Sequence, residues 1–346
     1  MIESILDRMP VLGICGYSGA GKTTLLEKLL PLLRADGLAV AVIKHDAHGL
    51  QLDRPGKDTD RLFNAGATVL AHCPSQGFLR LPIEMIPSLP SAIELLLRQH
   101  DVVLVEGHKS TALPAKIWLC SEGESSPPES DGPFAMVLGR DDDRVKHTHK
   151  FLRSWLRAQS RRTPVRGGIL VGSEADDLSP DRRERFWSET IGRALTAHVD
   201  SVTLLGSVAT PAVRSNLNFL PAVPDNQGPF ARMLAALRWD PWCQWLFVTG
   251  DPSFLSSHAI QWLLDQRGPG TWAILPKPSI ADHAEPSFAL YDWRARGILE
   301  TAREPEALSM NVNIHCPIIP KDLRKDGLSR STSACSSEML AVGTGN

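Results

Sequence analysis

The 346-residue chain has no C-x-x-C pair, no strong excess of charge of either sign, and no apolar run near the about eighteen residues that cross a bilayer. Each absence excludes a class. Six scattered cysteines, at positions 15, 73, 120, 243, 316 and 335, offer neither zinc-ligand spacing nor a disulfide framework, and they suit a reducing cytoplasm. A net charge of −2 leaves no electrostatic footprint for nucleic acid. The N-terminus opens on Glu3, Asp7 and Arg8 rather than on a basic stretch followed by an apolar one, so no secretory signal is read there. The expectation is a soluble cytoplasmic chain with no membrane or nucleic-acid partner.

What is present is ordinary globular material. Apolar residues make up 42% and charged residues 22%, and the length predicts two domains, each with its own core. The most specific stretch is Gly16-Tyr17-Ser18-Gly19-Ala20-Gly21-Lys22-Thr23, which satisfies G-x-x-x-x-G-K-[ST] at every fixed position. It follows the apolar run Val11 to Ile14 and opens, at Thr24, into a segment of helical spacing. Strand, glycine-rich loop and helix form the setting in which backbone N–H groups cradle phosphates and a helix N-terminus adds partial positive charge. Lys22 is placed to reach the β- and γ-phosphates, and the Thr23 hydroxyl to take one Mg²⁺ position.

Downstream, Leu38 to Ile43 reads as a buried strand, followed by Lys44-His45-Asp46-Ala47-His48 and by Asp53-Arg54-Pro55-Gly56-Lys57-Asp58-Thr59-Asp60-Arg61. So many polar residues after a buried strand fit the carboxyl edge of a parallel sheet, where ligands bind. Asp53 and Asp58 are candidates to hold Mg²⁺ or position water, and Lys44, Lys57 and Arg61 to contact anions. A solvated loop with a helix cap at Asp58 or Thr59 is the alternative. Asp101-Val-Val-Leu-Val-Glu106-Gly107 resembles a Walker B strand, with Glu106 at its end to orient the metal or its water, or else a buried strand running into a turn. A helix capped by Ser91 is expected over 91–98, a mobile Pro/Ser-rich loop over 121–132, and strands over 115–120 and 134–138. Alternating strands and helices predict an α/β, doubly wound, mostly parallel sheet.

Gly16 to Thr24, Lys44-His45-x-x-His48, the Asp53 to Arg61 block, Ala65-Gly66-Ala67 and Val105-Glu106-Gly107-His108-Lys109 together resemble the molybdopterin-guanine dinucleotide biosynthesis protein B family (MobB) over roughly residues 10–155. The resemblance implies a P-loop NTPase fold that binds GTP with Mg²⁺, hydrolyses it weakly, and works in molybdenum cofactor maturation. It implies nucleotide contacts from Gly16, Ser18, Gly19, Ala20, Gly21, Lys22, Thr23, Thr24, Lys44, His48, Asp58 and Arg61. Lys22, Asp53 and Glu106 are the implied catalytic group, and Thr23, Asp53 and Glu106 the implied metal set. No N-K-x-D guanine motif occurs, so GTP rather than ATP is implied by the resemblance alone.

After a predicted closing helix over 150–158 and a basic linker over 159–166, a second α/β pattern begins at Gly167. Pro224-Asp225-x-x-Gly228-Pro229, Leu234-Ala235-Ala236-Leu237, Thr249-Gly250-Asp251-Pro252, Glu285-Pro286 and Asn311-Val-Asn313 resemble the molybdenum cofactor guanylyltransferase family (MobA) over about 166–325. The resemblance implies a Rossmann-type nucleotidyltransferase domain, 167–328, before a disordered tail at 329–346. Asp251 is a candidate metal ligand past a buried strand, or a cap for the next turn. That family opens with a glycine-rich phosphate signature, where this chain has Gly172-Ser173-Glu174 and the acids Asp176 and Asp177. Carboxylates beside a triphosphate repel it, so a degenerate copy that binds cofactor or a partner is expected.

Two functions follow from the sequence. One is a GTPase of molybdenum cofactor biosynthesis, residues 1–158, fused to a guanylyltransferase-like half of doubtful activity. The other is a nucleotide-gated adaptor that hands molybdopterin to a guanylyltransferase or molybdoenzyme without making a covalent bond. P-loop proteins of this architecture often dimerise, which makes a homodimer one candidate assembly.

Overall fold

The computed structural model describes residues 8–45, 54–85, 87–124, 126–170, 191–206, 218–221, 229–249, 255–280, 282–284, 286, 288–301, 308 and 311–323. His48, Asp53, Asp251, the acids at 174–177, the segment 222–228 and the expected tail therefore lie outside the described residues. The chain divides into two compact units, Met1–Lys150 and Phe151–Asn346.

The first unit is built on β1 (Val11–Cys15), β2 (Val40–Lys44), β5 (Val102–Glu106), β6 (Ala115–Leu119) and β7 (Met136–Leu138), in the order β2-β5-β1-β6-β7. Every pairing in this sheet is parallel. Central parallel strands are covered on both faces, which is why β1 and β5 are almost wholly apolar and every residue of each is buried. Helix α1 (Lys22–Ala35) buries Leu25, Leu26, Leu29 and Leu33, a stripe at helical spacing. The connection from β1 runs to β2 on one side of the sheet, while that from its neighbour β5 crosses to β6 on the other, so connections diverge at the β1–β5 pair. The carboxyl end of that pair is therefore the crevice where an open α/β sheet binds ligands.

Between β2 and β5 the chain makes α2 (Asp58–Asn64), an antiparallel hairpin of β3 (Val69–Cys73) and β4 (Gln76–Arg80), and α3 (Leu89–Leu97). The sequence reading found no β4, whose Gln76-Gly77 start carries no strand pattern. It also placed the α3 cap at Ser91. The helix begins earlier, with the Ser88 side chain accepting from the Ser91 N–H, because Pro90 is tolerated in a first turn where its missing donor is not needed. In the hairpin, Leu70 stands opposite Leu79, and the two are 67% and 54% exposed. Cys73 is also exposed there, its thiol 3.3 Å from the Ser75 hydroxyl and held below its ordinary pKa, chiefly by that contact. Within the loop expected to be mobile, Glu124 accepts from the Trp118 indole at 2.9 Å, and Lys116 donates to the Asp131 carbonyl.

Of the basic segment 159–166, expected to be a linker, the first four residues are helical and the last two belong to a strand. Helix α4 (Arg144–Arg162) runs into it as far as Arg162, burying Leu152 and Leu156 four residues apart, and β8 (Val165–Leu170) starts three residues later. Pro164 ends the helix by disfavouring helical geometry at Thr163.

The second unit holds β8, β9 (Ser201–Gly206), β10 (Asn218–Pro221), β11 (Gln244–Thr249), β12 (Ala273–Ile274), β13 (Phe288–Tyr291) and β14 (Ile314–His315), ordered β10-β9-β8-β11-β13-β12-β14. Strand β13 runs antiparallel to both neighbours, so the sheet is mixed. Described helices are α5 (Arg193–Thr196), α6 (Pro229–Trp239), α7 (Ser257–Asp265) and α8 (Ala295–Thr301). Beside the start of β11 lies a buried ion pair: Asp292 accepts from Arg294 Nε at 2.7 Å and Nη2 at 3.1 Å, with Gln244 Nε2 at 3.5 Å. Trp293 lies 4.8 Å under the guanidinium. Removing one member strands the other charge in the interior. Arg294→Met is expected to lower stability by about 3 kcal/mol, measured by urea denaturation.

Candidate nucleotide site

At the carboxyl edge of the first sheet the chain leaves β1 through Gly16, whose φ is +144°. A Cβ there would sit 2.6 Å from the Leu119 carbonyl and 3.1 Å from the Ala20 side chain, so only glycine lets the loop turn this close to the end of β6. Gly19 (φ +75°) turns the loop in open space, and Gly21 (φ +88°) is the left-handed N-cap of α1. The loop then delivers Lys22 and Thr23 at the first turn of that helix, where orphan N–H groups and the dipole favour an anion.

Two side-chain contacts define the centre. Lys22 Nζ donates to the Gly16 and Tyr17 carbonyls at 3.1 and 2.8 Å, which folds its ammonium over the loop. The Thr23 hydroxyl donates to Glu106 Oε1 at 2.9 Å. Glu106 is buried at the end of β5, paired with Ile14 on one side and Lys44 on the other. A hydroxyl and a carboxylate from two separate elements thus converge beside the phosphate loop. These are hard oxygen donors of the kind Mg²⁺ takes in triphosphate sites, where one or two protein oxygens complete a shell of phosphate and water.

Behind the loop, Cys15 is buried and donates toward the Gly107 carbonyl at 3.6 Å, and burial pushes its thiol up to about 11. It is a protonated part of the floor, not a nucleophile. On the far side of Glu106, His108 holds a φ of +50°, and its ring lies 5.0 Å from that of His45. Burial, then the facing His45, holds its pKa below the usual histidine value. Tyr17 packs edge-on against Trp118 at 5.5 Å, and Lys109 Nζ lies 4.8 Å over the Tyr17 ring.

The structure brings together Gly16, Gly19, Ala20, Gly21, Lys22, Thr23 and Glu106, with Ser18 and Thr24 on the exposed rim of the same turn. Lys44 is exposed at the end of β2. Asp58 and Arg61 lie on α2 with exposed side chains, and among the described residues no contact joins either to the P-loop. In that block Asp60 accepts from the Gly56 N–H at 2.8 Å and from Arg80 at 2.9 Å. Two residues outside the motifs hold this region together. Lys116, buried in β6, donates to the carbonyls of Lys109 and Asp131. Arg144, at the head of α4, donates to Ala20. A lysine inside the otherwise apolar β6 was a visible signal; an arginine after three aspartates was not. Gly16→Ala is expected to destabilise the chain by about 2 kcal/mol or more, because strain and a backbone clash coincide, whereas Gly19→Ala carries the left-handed strain alone, about 1 kcal/mol. Paired urea titrations measure the difference.

Residues 11–137 match the family described as molybdopterin guanine dinucleotide synthesis protein B. The chain is 36% identical over 166 residues to the molybdopterin-guanine dinucleotide biosynthesis adapter protein of Haemophilus influenzae, across 43% of this chain and 91% of that relative. With the adapter protein of Escherichia coli K12 it shares 36% over 174 residues, 44% of this chain and 96% of the relative. A crystal structure of molybdopterin-guanine biosynthesis protein B is 27% identical, covering 42% of this chain and 98% of that one with a TM-score of 0.34. A P-loop cradle at the switch point of a parallel sheet, matched on these residues, makes the chain, through its N-terminal unit, a member of the molybdopterin guanine dinucleotide synthesis protein B (MobB) family.

Proposed function

We propose that the N-terminal unit binds GTP with Mg²⁺ at Gly16–Thr23, hydrolyses it weakly, and serves molybdopterin guanine dinucleotide biosynthesis as an adapter, the role its relatives are named for. The observation that carries this reading is the 2.9 Å hydrogen bond from Thr23 to Glu106, which sets two metal-type oxygens beside a complete phosphate loop. Thr23 and Glu106 would hold the metal, which when bound neutralises phosphate charge. Lys22 reaches the phosphates. Asp53 is assigned the attacking water, and Lys44, His48, Asp58 and Arg61 the surrounding charge. Guanine is favoured over adenine by family membership.

For the second unit we favour a nucleotidyltransferase-like domain that binds molybdopterin or a partner, either a guanylyltransferase or a molybdoenzyme, and does not transfer GMP. Its support is the parallel core β10-β9-β8-β11, with Asp251 two residues past the end of β11 in sequence, and the acids Glu174, Asp176 and Asp177 where a phosphate signature would stand. The Leu70–Leu79 pair supports a homodimer, since a lone two-stranded hairpin with an exposed apolar face is marginal in water.

Calorimetry is expected to show Mg²⁺-dependent GTP binding that Lys22→Ala abolishes; binding unchanged in that variant would overturn the P-loop assignment. Incubated with GTP and molybdenum-loaded molybdopterin, the protein is expected to form no guanine dinucleotide. Dinucleotide that appears with wild type and disappears with Asp251→Ala would instead establish a working transferase.

A further inference from the structure

The guanidinium of Arg144 is committed to main-chain carbonyls. Its Nε donates to Gly139 O at 2.7 Å, Nη1 to Ala20 O at 2.7 Å, and Nη2 to Cys120 O at 2.6 Å and Leu138 O at 3.3 Å. Four bonds from a group with five N–H donors leave little capacity for anything else. The acceptors belong to three segments: the phosphate loop, the residue after β6, and the end of β7. Local structure is arranged to present this side chain. The Asp142 carboxylate accepts from the Gly139 N–H at 2.6 Å, closing the turn after β7. Asp143 caps α4, its carboxylate accepting from the Lys146 N–H at 3.1 Å. Arg144 is consequently the first residue of the helix, fixed at both its main chain and its tip.

The bond to Ala20 has a consequence for the loop. In a planar trans peptide the C=O of one residue and the N–H of the next point in opposite directions. With the Ala20 carbonyl turned to the guanidinium, the Gly21 N–H at the head of α1 is turned away from it. A side chain at Gly21 would also lie 3.5 Å from Arg144 Nη1.

We infer that Arg144 is a positioning residue for the nucleotide phosphates: it latches the Ala20–Gly21 peptide of the P-loop to the carboxyl ends of β6 and β7, and so presets the N–H groups that receive a triphosphate. It does not touch the phosphates itself. This rests on the triphosphate reading of the P-loop proposed above, and it predicts that the latch acts on the phosphate part of the ligand whatever base is attached.

The test titrates full-length protein with a fluorescent GTP analogue and Mg²⁺, competed with GTP and with inorganic triphosphate, well below the unfolding temperature. Arg144→Gln is expected to weaken GTP and inorganic triphosphate by the same factor, about tenfold to a hundredfold, the range seen when an outer-shell partner is removed. Arg144→Lys, which keeps the charge and stem but cannot span three segments, is expected to recover only part of that loss, and it carries the test if the glutamine variant does not fold. Equal affinities in wild type and variant overturn the latch while leaving the P-loop assignment standing. A loss for GTP with none for inorganic triphosphate overturns it too, since the residue would then act on the base. Wild type that binds neither ligand overturns the triphosphate reading, and the latch with it.

Discussion

A carbonyl oxygen and an absent side chain set the layout of the N-terminal unit. Leu119 O would lie 2.6 Å from a Cβ at position 16, so the loop after β1 can cross the end of β6 only as glycine. That crossing starts the turn which places Gly21 at the head of α1, and with it Lys22 and Thr23. Thr23 then meets Glu106 from β5, the strand on the opposite side of β1 from β6. The loop is thus braced from both flanks of the central strand, by Glu106 on one side and by the carbonyls that Arg144 gathers on the other. Packing alone would not fix it: Tyr17, Ser18 and Gly19 are exposed, and what orders this turn is hydrogen bonding to named main-chain atoms.

How much of this was readable beforehand depends on what kind of contact holds each residue. Gly16, Gly21, Lys22 and Thr23 are encoded by residue type at fixed spacing, because each must do something no other residue does there. Glu106 was readable as an acid closing an apolar strand. In the Asp53–Arg61 block, by contrast, several acids stand close together and sequence cannot rank them; of the described acids there, Asp60 is held by a turn N–H and by an arginine twenty residues on. Arg144 was illegible for a deeper reason. Its acceptors are carbonyls, which every residue owns, and one of them lies 124 positions away.

The same contrast holds for the fold. Strands β1, β5, β6 and β11, buried on both faces, declared themselves as apolar runs. Strands β12 and β14, two residues each, are too short to show any period; β12 forms on the edge of β13, and β14 in turn on the edge of β12. Helix α4 runs on to Arg162, into a stretch whose basic composition resembles a linker. Composition there described the solvent-facing side of the helix, while Leu152 and Leu156 on its other side kept it wound.

The described cysteines of the first unit divide sharply in chemical accessibility. Cys15 lies protonated beneath the phosphate loop and Cys120 is buried after β6, its thiol likewise raised, chiefly by burial, whereas Cys73 is exposed with its thiolate favoured by Ser75. Electrophiles and oxidants react with exposed thiolate and not with buried thiol. Within this unit, then, an alkylating dye marks the β3–β4 hairpin and spares the nucleotide cradle, so the hairpin carries a built-in reporting position whose labelling leaves the P-loop chemically intact.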